Sequence, residues 1–160
     1  MREGLNMAEK IVVAGHICLD ITPVFLAEKA QPLQEVLIPG KLVQMRDVNI
    51  STGGAVANTG LALKVLGADV RLMGKIGNDE FGRIILGRLQ KYGAEKDMIL
   101  SENSSTSYSV VIAPPGTDRI FLHNPGANDS FRAEDIDFEA VRQADFFHFG
   151  YPPIMKHMYE

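Results

Sequence analysis

Asp20, Gly53, Gly54 and Asn58 are the residues of this chain whose types and spacing suit the binding of oxygen atoms. An aspartate offers two acceptor oxygens, and an asparagine amide offers an acceptor and two donors. A glycine pair just before an apolar helix pattern lets backbone N–H groups come close to a ligand, because no Cβ stands in the way. The helix start adds unpaired N–H donors and a partial positive charge. Such a set can grip either hydroxyls or an anion. From its position alone, Asp20 reads equally as a ligand acceptor or as a turn residue bonded to its own backbone.

Elements must position these residues. Ile11 to Gly15 is a short, apolar, β-branched run, as in a strand buried on both faces of a parallel sheet. His16 to Asp20 then falls at the carboxyl edge of that strand, where open α/β sheets bind ligands. Ile21 to Leu26 and Lys41 to Ile50 read as further strands, with polar loop from Glu28 to Gln34 between them. Gly54 to Leu66 reads as a helix, with Ala57, Leu61, Ala62, Val65 and Leu66 on its buried face and Gly67 as its stop. Ala68 to Met73 is a strand. A helix follows that Asn78 or Asp79 can cap, burying Phe81, Ile84, Ile85 and Leu89. The order strand, helix, strand, helix marks an α/β fold. Tyr108 to Ala113 and Arg119 to His123 form a hairpin outside that rhythm, with Asp118 and Arg119 read as a solvated turn. Glu134 to Ala144 reads as helical, Asp145 to Gly150 as a strand, and Pro152-Pro153 as the opening of a last helix.

Composition narrows the function classes. The chain is 46% hydrophobic and 22% charged, as in a globular domain with a proper core. Its net charge of -4, with no basic run, disfavours nucleic acid or an anionic membrane as partner. No apolar run approaches the roughly 20 residues of a membrane helix, and the polar Met1 to Lys10 reads as a loose tail. A single cysteine, Cys18, excludes an internal disulfide and fits the cytoplasm. His16, His123 and His148 stand without Cys, Asp or Glu at ligand spacing and are read as non-catalytic, and no metal site is expected. Gly15 is not followed by Gly-x-x-Gly, which excludes a dinucleotide fingerprint.

Taken in order, five features resemble the ribokinase-like, or PfkB, family of carbohydrate kinases. They are the strand ending Gly15-His16-Ile17-Cys18-Leu19-Asp20; Gly53-Gly54 with Asn58; Gly67 and Gly77 at the family's spacing; Gly77-Asn78-Asp79-Glu80-Phe81-Gly82; and Gly126-Ala127-Asn128. The resemblance runs from Lys10 to Glu160 and covers only the family's N-terminal half. It implies an α/β fold with a central, mostly parallel sheet flanked by helices, and a small β lid from segments of about 21–50 and 107–123. It implies that Asp20, Gly53, Gly54 and Asn58 bind the sugar, and that Asn128, where the lid rejoins the core, either borders the sugar or braces its loop.

The activity implied is ATP- and magnesium-dependent phosphorylation of a sugar hydroxyl, or of a nucleoside, with a homodimer formed through the lid. The catalytic aspartate of the family lies in a Gly-Ala-Gly-Asp motif, and no Gly-x-Gly-Asp occurs among residues 1–160. The expectation is therefore that this chain is part of a longer protein whose ATP-binding half lies beyond Glu160, and that alone it has no catalytic residue and is inactive. A non-catalytic sugar-binding or dimerising half-protein is the alternative from another class. Val56 and Gly60 depart from the family's usual residues, as does the region of Gly150, where ribokinase itself carries a sugar-binding glutamate.

Overall fold

The chain sorts its strands into two sheets, and the candidate residues lie where they meet α2. The computed structural model describes residues 9–27, 29–30 and 32–159. Most of the tail read over Met1 to Lys10, residues Glu28 and Gln31 of the polar loop, and Glu160 lie outside the described residues. The strands are β1 (Lys10–Gly15), β2 (Cys18–Phe25), β3 (Met45–Gly53), β4 (Asp69–Gly77), β5 (Met98–Ser101), β6 (Tyr108–Ile112), β7 (Ile120–Asn124) and β8 (Phe146–Gly150). The helices are α1 (Leu33–Val36), α2 (Gly54–Val65), α3 (Glu80–Gln90), α4 (Phe138–Arg142) and α5 (Lys156–Tyr159). The first sheet has the order β5-β4-β1-β8 and is parallel throughout. The second has the order β3-β2-β6-β7, with a parallel β2–β6 pair between two antiparallel ones.

β1 is buried on both faces, as its β-branched run requires. Val13 joins a core with Leu72, Ile76, Ile85 and Leu89. Val12 and Ala14 face a second core with Phe131, Ile136, Ala140 and Met155.

Several boundaries and faces differ from the sequence reading. β2 begins at Cys18, so Asp20 lies inside a strand rather than in a turn. β3 runs on to Gly53, and α2 starts at the next residue. In α2 the buried residues are Gly54 to Ala57 and Gly60, with Leu61 and Leu63 packed on the core. Val65 and Leu66, expected inside, are 67% and 81% exposed, because the helix inserts its N-terminal half and leaves its last turn outside. Ile84 of α3 is likewise exposed, while Ile85 and Leu89 are buried. A short helix, α1, interrupts the polar loop. Pro152–Ile154 forms a 3-10 turn, and α5 follows it.

Gly60 has a packing reason. A Cβ there would lie 2.2 Å from Leu72 Cδ2, so a side chain at this point would force the buried Leu72 to shift within the core. Gly60→Ala is expected to destabilise by about 1–3 kcal/mol through overpacking, read as a lowered melting temperature.

Asp79 ties α3 to the loop before β6. Its Oδ1 accepts from Gly82 N at 2.8 Å and from Thr106 Oγ1 at 2.6 Å, and its Oδ2 accepts from Thr106 N at 2.7 Å. Burial works against its charge, but the bonds from Thr106 and Gly82 outweigh it and hold the carboxyl below the usual range. The folded state therefore binds its proton less readily than the unfolded chain, whose aspartates titrate near about 3.9. The stabilisation is complete above that pH and is lost as pH falls through the lower folded value. Melting temperature should drop as pH falls from about 4 down through that lower folded value, and Asp79→Asn should flatten part of that drop.

Candidate functional site

A cleft of about 610 Å³ opens where β2 and the start of α2 meet β6 and β7. The register of the second sheet builds one wall. Ser51, Asp20, Ser109 and His123 are direct neighbours across β3, β2, β6 and β7, so their side chains share one face. Asp20, Ser109 and His123 line the cleft. The alternate positions on β2 and β3, Leu19, Ile21 and Ile50, pack on the core. The period-2 pleat thus turns the polar row outward because the apolar row is pulled in.

Asp20 is half-buried. Cys18 Sγ donates to its Oδ1 at 3.4 Å. Burial, with Asp20 nearby, pushes the Cys18 thiol well above its ordinary range, so the S–H stays a donor. The other oxygen lies over Gly53: a Cβ built there would stand 2.3 Å from Asp20 Oδ2. Gly54 has a left-handed φ of +86°, and a Cβ there would meet the His16 carbonyl oxygen at 2.3 Å. That carbonyl accepts from Val56 N at 3.2 Å, which anchors the first turn of α2 to the loop after β1. Asn58, one turn into α2, is exposed and lines the same cleft. Asp20, Gly54 and Asn58 are therefore brought together, with Gly53 beneath the carboxylate.

Asn128 is not on the cleft wall. It is fully buried, its Oδ1 accepts from Ile17 N at 3.2 Å, and its Nδ2 donates to Ile17 O at 2.9 Å. Both ends of the amide brace the loop that carries His16 and Cys18, which is the second of the two roles open to it.

The remaining wall was not legible in the sequence. Arg119, read as a turn residue, lines the cleft and sets its guanidinium 5.5 Å from the Phe121 ring centre. His123 Nδ1 shares a 3.0 Å hydrogen bond with Ser109 Oγ. Tyr151 follows β8 with a left-handed φ of 66°, a conformation that costs a non-glycine residue about 1–2 kcal/mol. Its ring stands edge-on to His16 at 5.9 Å, and the His16 ring lies 5.4 Å from His123. Burial, helped by His123, lowers the His16 pKa to about 4, so its imidazole is neutral at pH 7. The only local signal for this wall was the alternation of Phe121 and His123 along β7, which places both on one face.

The cleft offers a carboxylate, an amide, a hydroxyl, the neutral imidazole of His16 and flat aromatic faces, a mixture suited to a ligand with several hydroxyls. Among the described residues no group of three or more His, Cys, Asp or Glu could hold a metal ion. No helix among them is long and apolar enough to cross a membrane.

Comparison with known proteins agrees with the fold. A model described as pfkB family carbohydrate kinase matches residues 8–158. Fructokinase-2 of Solanum habrochaites is 32% identical over 154 residues, which cover 92% of this chain and 42% of that protein. Probable fructokinase-3 of Arabidopsis thaliana is 34% identical over 101 residues, 61% of this chain and 29% of that protein. Ribokinase from Giardia lamblia matches in structure with a TM-score of 0.73 at 20% identity, over 88% of this chain and 44% of that one. Fructokinase with bound ATP from Xylella fastidiosa gives a TM-score of 0.66 at 23% identity, over 89% and 42%. The chain spans less than half the length of each of these proteins. On the family match and the shared architecture, this chain belongs to the PfkB family of carbohydrate kinases and has a ribokinase-like α/β fold.

Proposed function

We propose that this chain supplies the acceptor-binding part of an ATP-dependent kinase that phosphorylates a hydroxyl of a small sugar. The observation that carries the reading is the convergence of Asp20, Gly54 and Asn58 on one cleft, with Gly53 packed under the carboxylate. Asp20 accepts from sugar hydroxyls, Asn58 can both give and accept, and the start of α2 adds N–H donors. Phosphoryl transfer further requires a base near the attacking hydroxyl and charge stabilisation at the γ-phosphate. The chain spans less than half the length of the kinases it matches, so ATP, Mg2+ and the catalytic base are assigned to the remainder of a longer polypeptide. Residues 1–160 alone are then inactive.

In this reading the second sheet, built from segments of about 21–50 and 107–123, is a lid over the sugar. Its edge strand β7 exposes Ile120 and Leu122 on the face opposite Phe121 and His123. That apolar edge is the seam of a homodimer. The setting is the cytoplasm, where ATP is at hand.

A nucleoside acceptor is the second reading. The rings of His16, Phe121, His123 and Tyr151 around one cleft favour it, because they offer faces on which a base can stack. An acceptor panel separates the two. The natively produced polypeptide carrying these residues is incubated with ATP, magnesium and D-fructose, D-ribose or inosine, and products are read by mass. A phosphorylated sugar supports the first reading and phosphoinosine the second. Absence of any transfer from a polypeptide longer than this chain would remove both.

A further inference from the structure

Among the described residues, the His16 imidazole is the buried polar group of the cleft that has no hydrogen-bond partner. The residue is 3% exposed, and neither ring nitrogen has a hydrogen-bond partner. Buried polar side-chain atoms are normally paired, and an orphan lowers the stability of the fold that keeps it. Nδ1 lies on the Cα face of Gly54, 2.6 Å from where a Cβ would be, and the ring is flanked by His123 and Tyr151. A leucine would occupy a similar volume without the penalty. Beside it, Tyr151 pays a second cost, its left-handed backbone, and this sets its ring against the same imidazole. Two independent costs thus meet at one spot on the wall of the cleft that also holds Asp20.

We propose that His16 is a specificity-determining ligand contact, exchanging a hydrogen bond with an uncharged hydroxyl of the acceptor once the ligand displaces the exposed rings of His123 and Tyr151. This rests on the reading of the cleft as an acceptor site. The imidazole does not act as a base. Burial keeps it neutral at pH 7, with one nitrogen a donor and the other an acceptor, so it can serve a hydroxyl in either sense.

The test uses the natively produced polypeptide carrying residues 1–160, with His16→Leu, His16→Gln and Asp20→Asn variants. Each is titrated calorimetrically with D-fructose, D-ribose and inosine, and each is melted without ligand. His16→Leu should bind the preferred probe at least about tenfold more weakly, the loss of roughly one hydrogen bond, yet melt at a higher temperature than the wild type. His16→Gln, which keeps a donor and an acceptor, should recover part of the affinity. If Asp20→Asn loses binding while His16→Leu binds as the wild type does, the contact is refuted and the acceptor site stands. If the wild type binds no probe, or Asp20→Asn binds unchanged, the acceptor site falls and the contact with it. Should His16→Leu fail to fold, the imidazole nitrogen resonances of the wild type decide. A shift on saturation with the bound probe supports the contact, and unmoved resonances refute it.

Discussion

Asp20→Ala is expected to raise the KM for the acceptor roughly 10- to 100-fold in the polypeptide that carries this chain. Each hydrogen bond from a charged group contributes about 1.5–3 kcal/mol, and every 1.4 kcal/mol is about tenfold in affinity. The effect falls mainly on KM, because the carboxylate holds the substrate's hydroxyls in the ground state as well as the transition state. The geometry explains why one residue matters this much. Cys18 occupies Oδ1, Gly53 lies under Oδ2, and the strand register aims the group into the cleft with Ser109 and His123 beside it. Initial-rate kinetics over a range of acceptor concentration measure it. An unchanged KM would remove Asp20 from the site.

The second large effect separates two adjacent glycines. Gly54→Ala forces a side chain onto a left-handed residue and drives its Cβ toward the His16 carbonyl, a backbone atom that cannot step aside. The expected loss is at least about 2 kcal/mol, from αL strain plus overlap, or a melting temperature several degrees lower. Gly53→Ala differs. Its φ of -124° is ordinary extended backbone, so no strain arises. Its Cβ instead collides with Asp20 Oδ2 at 2.3 Å and Cys18 Sγ at 2.9 Å, both of which can rotate away. Gly53→Ala should therefore keep much of the stability and lose acceptor affinity by displacing the carboxylate. Thermal melts paired with titration calorimetry read both. Equal stability of Gly54→Ala and the wild type, or wild-type affinity in Gly53→Ala, would contradict this division.

What could be read from sequence was what local chemistry decides. β1 announced itself by five apolar residues in a row, and Asp79 announced its cap by standing before an amphipathic helix. Gly53-Gly54 before a helix pattern placed the turn, and the α/β class followed from the order of elements. What could not be read depends on pairing between distant segments. Nothing near Ser109 says that it will lie beside Asp20, because the β2–β6 pair joins residues some ninety positions apart. Arg119 looked like a turn residue because Pro114-Pro115-Gly116 precedes it, and only the register of β7 on β6 turns it into the cleft. The exposure of Val65 and Leu66 has the same origin: periodicity tells which residues could be inside, while the sheet decides how far along α2 the inside extends. Asn128 offered two roles from sequence, and the backbone of Ile17 took both ends of its amide.

The most direct measurement is a nuclear magnetic resonance footprint. The isotope-labelled polypeptide carrying these residues is titrated with D-fructose, D-ribose and inosine, and backbone and side-chain amide shifts are followed. The expected footprint centres on the amides of Gly53, Gly54 and Ala55, the Asn58 side chain, and Ser109 and His123 across the second sheet. The groove at the opposite, amino-terminal edge of the first sheet, lined by Lys64, Asp69 and Lys96, should stay still. Shifts confined to that groove, or none at the Gly53 to Asn58 segment under saturation, would contradict the assignment of the cleft as the acceptor site.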